Sequence, residues 1–338
     1  MKSIVLDAIK GKRTDRVPVA PLVTVAHASR IYGIKPFEYV LNSENYANAQ
    51  IYAKKFYGYD WVWSHQPFQG VSREERDKVV VQGDEAILTL EVGTRFKIYS
   101  NNPPQIIRPA ITSKDQVKRL EIPDPYIEER MEPIRLMLEK EDFVCGNVRC
   151  PFTLASTFLY DLESLLIDMK VDQNFVFELL DFALEYCAEY AKAQVKEGAH
   201  AIFTEDPSAS PSLISPNDYR RFALPYERAL FKKIELVPVI FHICGNITPI
   251  MEDMVGAGAD CISVEERVDM EALHKKAPVW GNVSSSLLVR GSKDEVGEIS
   301  KGIVELGRGV VLSSGCVVPG NAKEENMREM VNASHGRN

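Results

Sequence analysis

The sequence predicts an α/β protein, a (β/α)8 TIM barrel occupying residues 1–338 as one domain, with an antiparallel β excursion at about 68–140. Three observations predict it. From about residue 143, short β-branched runs alternate with amphipathic helical stretches, the pattern of consecutive βα units around a parallel sheet. The runs number eight once two earlier ones are counted. The polar residues that could carry chemistry also gather at the C-terminal ends of those runs, where such barrels place their active sites.

In chain order, the strand runs are RVPVAPLVTV from 16, YDWVWSH from 59, FVCGNV from 143, HAIFTED from 200, VPVIFHIC from 237, CISVEE from 261, PVWGNVS from 278 and GVVLSSGC from 309. Between them, the stretch from Asp172 to Gly198 shows what the helices look like. Phe175, Leu179, Phe182 and Tyr186 form a helical stripe, Asp172 can cap the start and Gly198 can end it. Residues 68 to 140 break the alternation, because VVVQGDEAILTLEVGTRFKIYS reads as antiparallel strands turning at Gly83-Asp84, an excursion suited to a lid or a partner-docking surface.

Composition narrows the function classes. A net charge of -8, with Lys and Arg interspersed among acids, argues against a nucleic-acid binder. No apolar run approaches the roughly 20 residues of a membrane span, and the opening MKSIVLDAIKGKRTDR lacks the apolar core of a signal peptide. A cytoplasmic protein without membrane partners is expected. Six scattered cysteines are too sparse for a disulfide scaffold, so reduced thiols are expected. P-loop, H-E-x-x-H and dinucleotide fingerprints are absent.

The strongest chemical signal is His242-Ile243-Cys244 at the end of one apolar run, answered by Cys316 at the end of another. Residues two apart on a strand share a face, so His242 and Cys244 can hold one ion with Cys316 as third ligand, leaving a position open for chemistry. Buried cysteines and a hydrogen-bonded core histidine are the competing reading. A soft, nitrogen-containing ligand set points to zinc over magnesium or calcium. His65 follows the second run, Asn147 lies in the third, Glu205 and Asp206 end the fourth, Glu265 and Glu266 the sixth, and Asn282 lies in the seventh. Asp206, in D-P-S-A-S-P, can contact substrate or cap a turn. Glu265 can ligate, orient His242 or be a solvated acid. Trp61, Trp63, His65 and Phe68, with Tyr57 and Tyr59 nearby, read either as barrel core or as the lining of a substrate pocket.

DPSASPSLISP at 206, HICGN at 242, SVEE at 263, GNVSS at 281 and GCVVP at 315 resemble the zinc-containing methylcobalamin:coenzyme M methyltransferases of the uroporphyrinogen decarboxylase superfamily. The resemblance is specific over about 143–332 and limited earlier to the KGKRTDRVPVAP opening. It implies that His242, Cys244 and Cys316 carry zinc and that Asp206, Glu265 and Asn282 belong to the catalytic pocket; Trp63 and His65, in the first half that the resemblance covers least, and Asn147 are expected to face substrate. The implied reaction moves methyl between a corrinoid and a small-molecule acceptor or donor, a thiol such as coenzyme M. Because no D-x-H-x-x-G motif is present, the corrinoid should arrive on a partner protein. Two alternatives differ in substrate: demethylation of a methoxy-aromatic, and decarboxylation of uroporphyrinogen. The latter fits poorly, since VTVAHASRIYG offers only Arg30 and His27 to grip a polycarboxylate. A fourth reading is a structural zinc in a binding module, against which the wide separation of His242 from Cys316 argues.

Overall fold

Seven parallel strands make the main sheet of this computed structural model, which describes residues 3–65, 71–99 and 104–336. In spatial order they are β1 (Val62–Trp63), β6 (Val144–Arg149), β7 (Ala201–Glu205), β8 (Val239–His242), β9 (Cys261–Ser263), β10 (Val279–Val283) and β11 (Val310–Ser314). Each pairs with the next in chain order, as expected for successive βα units.

The run expected to be the first strand departs from the prediction. Only Val19 bridges Leu312, flanked by Ala20 N–H donating to Leu312 O at 2.8 Å and Leu312 N–H donating to Pro18 O at 2.9 Å. On its other side, Asp60 N–H reaches Val19 O at 2.8 Å. This segment therefore closes the sheet between β11 and β1 without forming a regular ladder. Pro18 and Pro21 lack the N–H groups that a longer ladder needs.

The excursion contains a second, antiparallel sheet of β2 (Val80–Gln82), β3 (Glu85–Thr89), β4 (Arg95–Ile98) and β5 (Gln105–Arg108). Its first hairpin turns at Gly83-Asp84 as the sequence predicts, with Gly83 at φ +64°. The antiparallel part ends at Arg108, and the helix Glu128–Leu138 has already rejoined the helical layer against helices Ser43–Tyr57 and Gln173–Glu197. The start of the predicted excursion, with Phe68, lies outside the described residues.

Helix Gln173–Glu197 begins and ends where its caps predict: Asp172 Oδ1 accepts from Phe175 N–H at 3.3 Å, and Gly198 takes the left-handed conformation at φ +116°. Phe175, Leu179 and Tyr186 are buried. Inside the barrel, Trp61 and Trp63 stack at 5.0 Å, Trp280 lies 4.6 Å from Trp61, and Phe203 lies 5.2 Å from Trp63. Both Trp61 and Trp63 spend their indole N–H on carbonyls, of Pro21 at 3.0 Å and Val23 at 2.6 Å. Cutting one such ring back to alanine typically costs about 3–5 kcal/mol. The aromatic plug fills the barrel and forms the floor under a polar layer at its mouth. Among the described residues no helix is long and apolar enough to cross a membrane.

Candidate metal centre

β8 delivers His242 to the mouth of the barrel, and the chain then bends through Ile243 to Cys244. β9 carries Ser263 and leads into Glu265; β11 leads into Cys316. One ligating atom from each of His242, Cys244, Glu265 and Cys316 lies within 4.8 Å of the others. The sequence-predicted triad is thus brought together, with Glu265 beside it. Cys244 Sγ is 3.4 Å from His242 Nε2 and 4.0 Å from Cys316 Sγ, far beyond a disulfide bond. A tetrahedral zinc with its usual bond lengths spaces two sulfurs about 3.8 Å apart and a sulfur and an imidazole nitrogen about 3.6 Å apart. The donor set and its spacing fit the ion.

The electrostatics agree with ligands poised to bind a cation. Cys316 is pulled down to about 4 by the hydrogen bond from Cys244, against the effect of burial and with help from His242. That same bond, together with burial, raises Cys244. Burial raises the Glu265 carboxyl, and the charge of Cys316 raises it further. Ser263 Oγ is 3.0 Å from His242 Nδ1, which leaves Nε2 facing the sulfurs. Such an outer partner fixes the ring of a ligating histidine.

Two glycines of the predicted motifs make this convergence possible. A Cβ on Gly281, at φ +143°, would sit 2.5 Å from Val264 O, and one on Gly315 would sit 3.0 Å from Glu265 Cα. Without side chains, the ends of β10 and β11 press against the segment that carries Glu265. Asn282 then ties that segment down, its amide donating to Glu265 O at 3.3 Å and Val268 O at 3.2 Å. Asn282 and Glu266 also line a cleft of about 520 Å³ that opens outward past Ser284 and Arg290.

The remaining sequence-predicted residues divide. His65 stands at the mouth, its Nε2 3.4 Å from Glu205 Oε1. Trp63 belongs to the plug at 1 % exposure, which places it in the barrel core and not on an open pocket wall. Asn147 is likewise buried, its amide donating to Phe203 O at 3.1 Å, so it ties β6 to β7. Asp206 is fully buried. It makes no cap to the turn that follows it; instead Oδ1 accepts from Thr153 N–H at 2.8 Å and from Thr153 Oγ1 at 2.5 Å. Burial raises Asp206 to about 7 despite those bonds. Its neighbour Glu227, which accepts from Tyr219 O–H at 2.6 Å, is pushed well up by burial and by the charge of Asp206.

Ser263, Arg149, Thr153 and Glu227 were not singled out from the sequence. Ser263 carries a usable signal: it precedes Glu265 by two positions, so strand periodicity puts both on one face. Glu227 carries none, because its partner Asp206 is reached only through the fold.

The chain matches the family model described as uroporphyrinogen decarboxylase over residues 66–337. It is 30% identical over 240 residues to the methylcobamide:CoM methyltransferase MtbA of Methanosarcina acetivorans, covering 68% of this chain and 70% of that one. A uroporphyrinogen decarboxylase of Prochlorococcus marinus is 28% identical over 316 residues, covering 87% of this chain and 86% of its own length. Among solved structures, a methyltransferase from Methanosarcina mazei superposes with a TM-score of 0.84 at 25% identity, covering 98% of this chain and 97% of that one.

Proposed function

The chain belongs to the uroporphyrinogen decarboxylase family, and within that family we propose that it transfers methyl between a corrinoid-carrying partner protein and a small thiol, with zinc held by His242, Cys244 and Cys316. The observation that carries this reading is the His/Cys/Cys/Glu cluster at the barrel mouth, with its atoms within 4.8 Å of one another. The thiol in the names of the methyltransferase relatives, coenzyme M, is the first candidate substrate.

Zinc in this site would supply Lewis acidity, lowering the pKa of a thiol in its open position so that the thiol reacts as a thiolate near neutral pH. The residues do the rest. Ser263 holds the His242 ring, and Asn282 holds the Glu265 segment. Glu265, whose carboxylate lies in the same cluster, would offer a fourth donor to the ion. Trp61, Trp63 and Phe203 seal the floor against water from below. A methylated corrinoid on the partner would supply the methyl group: the thiolate sulfur's electron pair would form the carbon–sulfur bond, the carbon–cobalt pair would remain with cobalt, and the proton lost by the thiol would pass to solvent.

The methoxy-aromatic alternative loses its main support in the fold. Trp61 and Trp63, which would have lined an aromatic pocket, are committed to the core at 0 % and 1 % exposure. Decarboxylation, the activity in the names of other relatives, gives the paired thiols no task.

Metal analysis and methyl transfer from a methylated corrinoid protein to coenzyme M test the proposal, with uroporphyrinogen as the control substrate. About one zinc per chain is expected, and Cys316→Ala should lose it while keeping the far-UV spectrum of the folded barrel. Zinc retained when both Cys244 and Cys316 are replaced, or decarboxylation of uroporphyrinogen without any thiol methylation, would overturn it.

A further inference from the structure

The motif DPSASPSLISP, which follows β7, has no part in the chemistry above, yet it packs against the bend that carries Cys244. β8 ends at His242, whose carbonyl accepts from Asp206 N–H at 2.9 Å. Cys244 lies two residues further on, beyond the strand ladder, and is followed by Gly245 in the left-handed conformation at φ +81°. Cys316 also lies past the end of its strand, but it is flanked by bonds of its own. Gly315 N–H donates to Val283 O at 2.7 Å, and Ser285 Oγ donates to Val317 O at 3.1 Å.

For Cys244 the hold comes from Ser210. Its Oγ donates to Cys244 O at 2.8 Å and accepts from Ser212 N–H at 3.3 Å, so the hydroxyl has its proton directed at the carbonyl. Ser210 is 4 % exposed, which keeps water from competing for the bond. The loop itself is firmly rooted. Ser210 O accepts from Leu213 N–H at 2.8 Å and Ile214 N–H at 3.0 Å. At the other end of the motif, Asp206 is bonded to Thr153, and Ser208 N–H adds a bond to Thr153 Oγ1 at 3.0 Å. A Cβ at position 245 would lie 3.3 Å from both Ser210 Oγ and Ser212 Oγ, so glycine lets the bend lie close beneath the two hydroxyls.

We propose that Ser210 is a positioning residue of the metal centre: it holds the Cys244 carbonyl and thereby directs Sγ toward His242 and Cys316. This rests on the zinc reading above. Side chains that orient metal ligands from outside the coordination sphere contribute measurably to affinity. Without the Ser210 bond the Cys244 bend swings free, while His242 stays on β8 and Cys316 keeps its own ties. The centre then loses one sulfur and keeps the other.

The cysteines themselves supply the readout. Cys145, Cys150, Cys187 and Cys261 are buried, whereas Cys244 and Cys316 are partly exposed, so a thiol reagent applied to the folded full chain counts these two. Zinc-loaded wild type should protect both. In zinc-loaded Ser210→Ala, Cys244 alone is expected to react, as located by peptide mass mapping, and competition with a chelator should show zinc bound about 10–100-fold more weakly. With cobalt(II) in place of zinc, the sulfur-to-metal charge-transfer absorption should fall as one thiolate leaves, while the far-UV spectrum stays that of the folded barrel. Ser212→Ala keeps the backbone N–H that serves Ser210 and should match the wild type. Both thiols protected in Ser210→Ala, release of Cys316 together with Cys244, or an equal effect of Ser212→Ala would overturn the inference. Should Ser210→Ala fail to fold, Gly245→Ala disturbs the same bond from the other side: release of Cys244 alone supports the inference, and two protected thiols overturn it. If zinc leaves both thiols of the wild type reactive, the metal reading falls with it; if the wild type and every variant protect both, this inference alone falls.

Discussion

Ser263 is a small residue with a large leverage, because its one hydroxyl decides which nitrogen of His242 meets the sulfurs. Replacing it with alanine removes the bond without disturbing packing at a fully buried position. Loss of such an outer partner typically weakens metal affinity by about 10–100-fold. Competition of Ser263→Ala against a zinc chelator should show a loss of that order with the fold intact; affinity equal to wild type would mean that His242 is held by the strand alone. The site was legible at this scale where residue type and spacing coincide. His242-x-Cys244 announces a shared face, and the strand-end setting of Cys316 announces the third member of the cluster. Asp206 was legible only as a strand-end carboxylate, and the contacts with Thr153 and Glu227 come from the fold. Trp63 was legible only as a choice between core and pocket, since period-2 reading cannot say how deep in a barrel a side chain sits.

At the scale of elements, the metal centre depends on how closely β10 approaches the segment after β9. Gly281 sets that distance: an alanine Cβ would fall 2.5 Å from Val264 O, in a backbone conformation of φ +143° that side chains rarely adopt. Gly281→Ala must push Val264 away and carry Glu265 and the Asn282 tie with it. A destabilisation of at least about 2 kcal/mol in urea is expected from backbone strain of this kind, together with weaker zinc binding. A variant with wild-type stability and zinc content would show that the approach has slack. Seven of the eight strands could be read from their β-branched runs because parallel strands buried on both faces are continuously apolar. The eighth could be located but not given its form. RVPVAPLVTV has the apolar content of a strand, yet Pro18 and Pro21 interrupt its hydrogen bonding, and only the fold shows that one bridge at Val19 still closes the sheet. The Gly83-Asp84 hairpin and the caps of helix Gln173–Glu197 were readable for a local reason: turn and cap chemistry is written within a few residues.

Across the whole molecule, closure joins the first segment of the chain to the last strand, and that seam contains a titratable group. His27 is fully buried, with Nδ1 3.0 Å from Pro319 O and Nε2 2.9 Å from Tyr57 O–H. A carbonyl accepts only, so Nδ1 carries the proton and Nε2 accepts from the tyrosine, a pairing that suits the neutral ring. Burial, with a smaller contribution from Arg30, lowers His27 to about 4 despite the bond to Pro319. Leu22 N–H to Ser314 Oγ at 3.1 Å and Val318 N–H to Leu22 O at 2.9 Å belong to the same seam. In the unfolded chain the imidazole titrates near 6.5. Above that pH neither state binds the proton, and His27 makes stability no more pH-dependent. Between about 6.5 and 4 the unfolded chain takes up a proton that the folded chain refuses, so stability falls as pH falls, by up to about 3 kcal/mol from this residue. His27→Asn keeps a donor for Pro319 O and removes the titration. Urea unfolding at several pH values through that window should therefore show a steeper decline for the wild type than for His27→Asn, with the two curves parallel above pH 7. Equal slopes across the window would locate the acid sensitivity of the barrel elsewhere than in its closing seam.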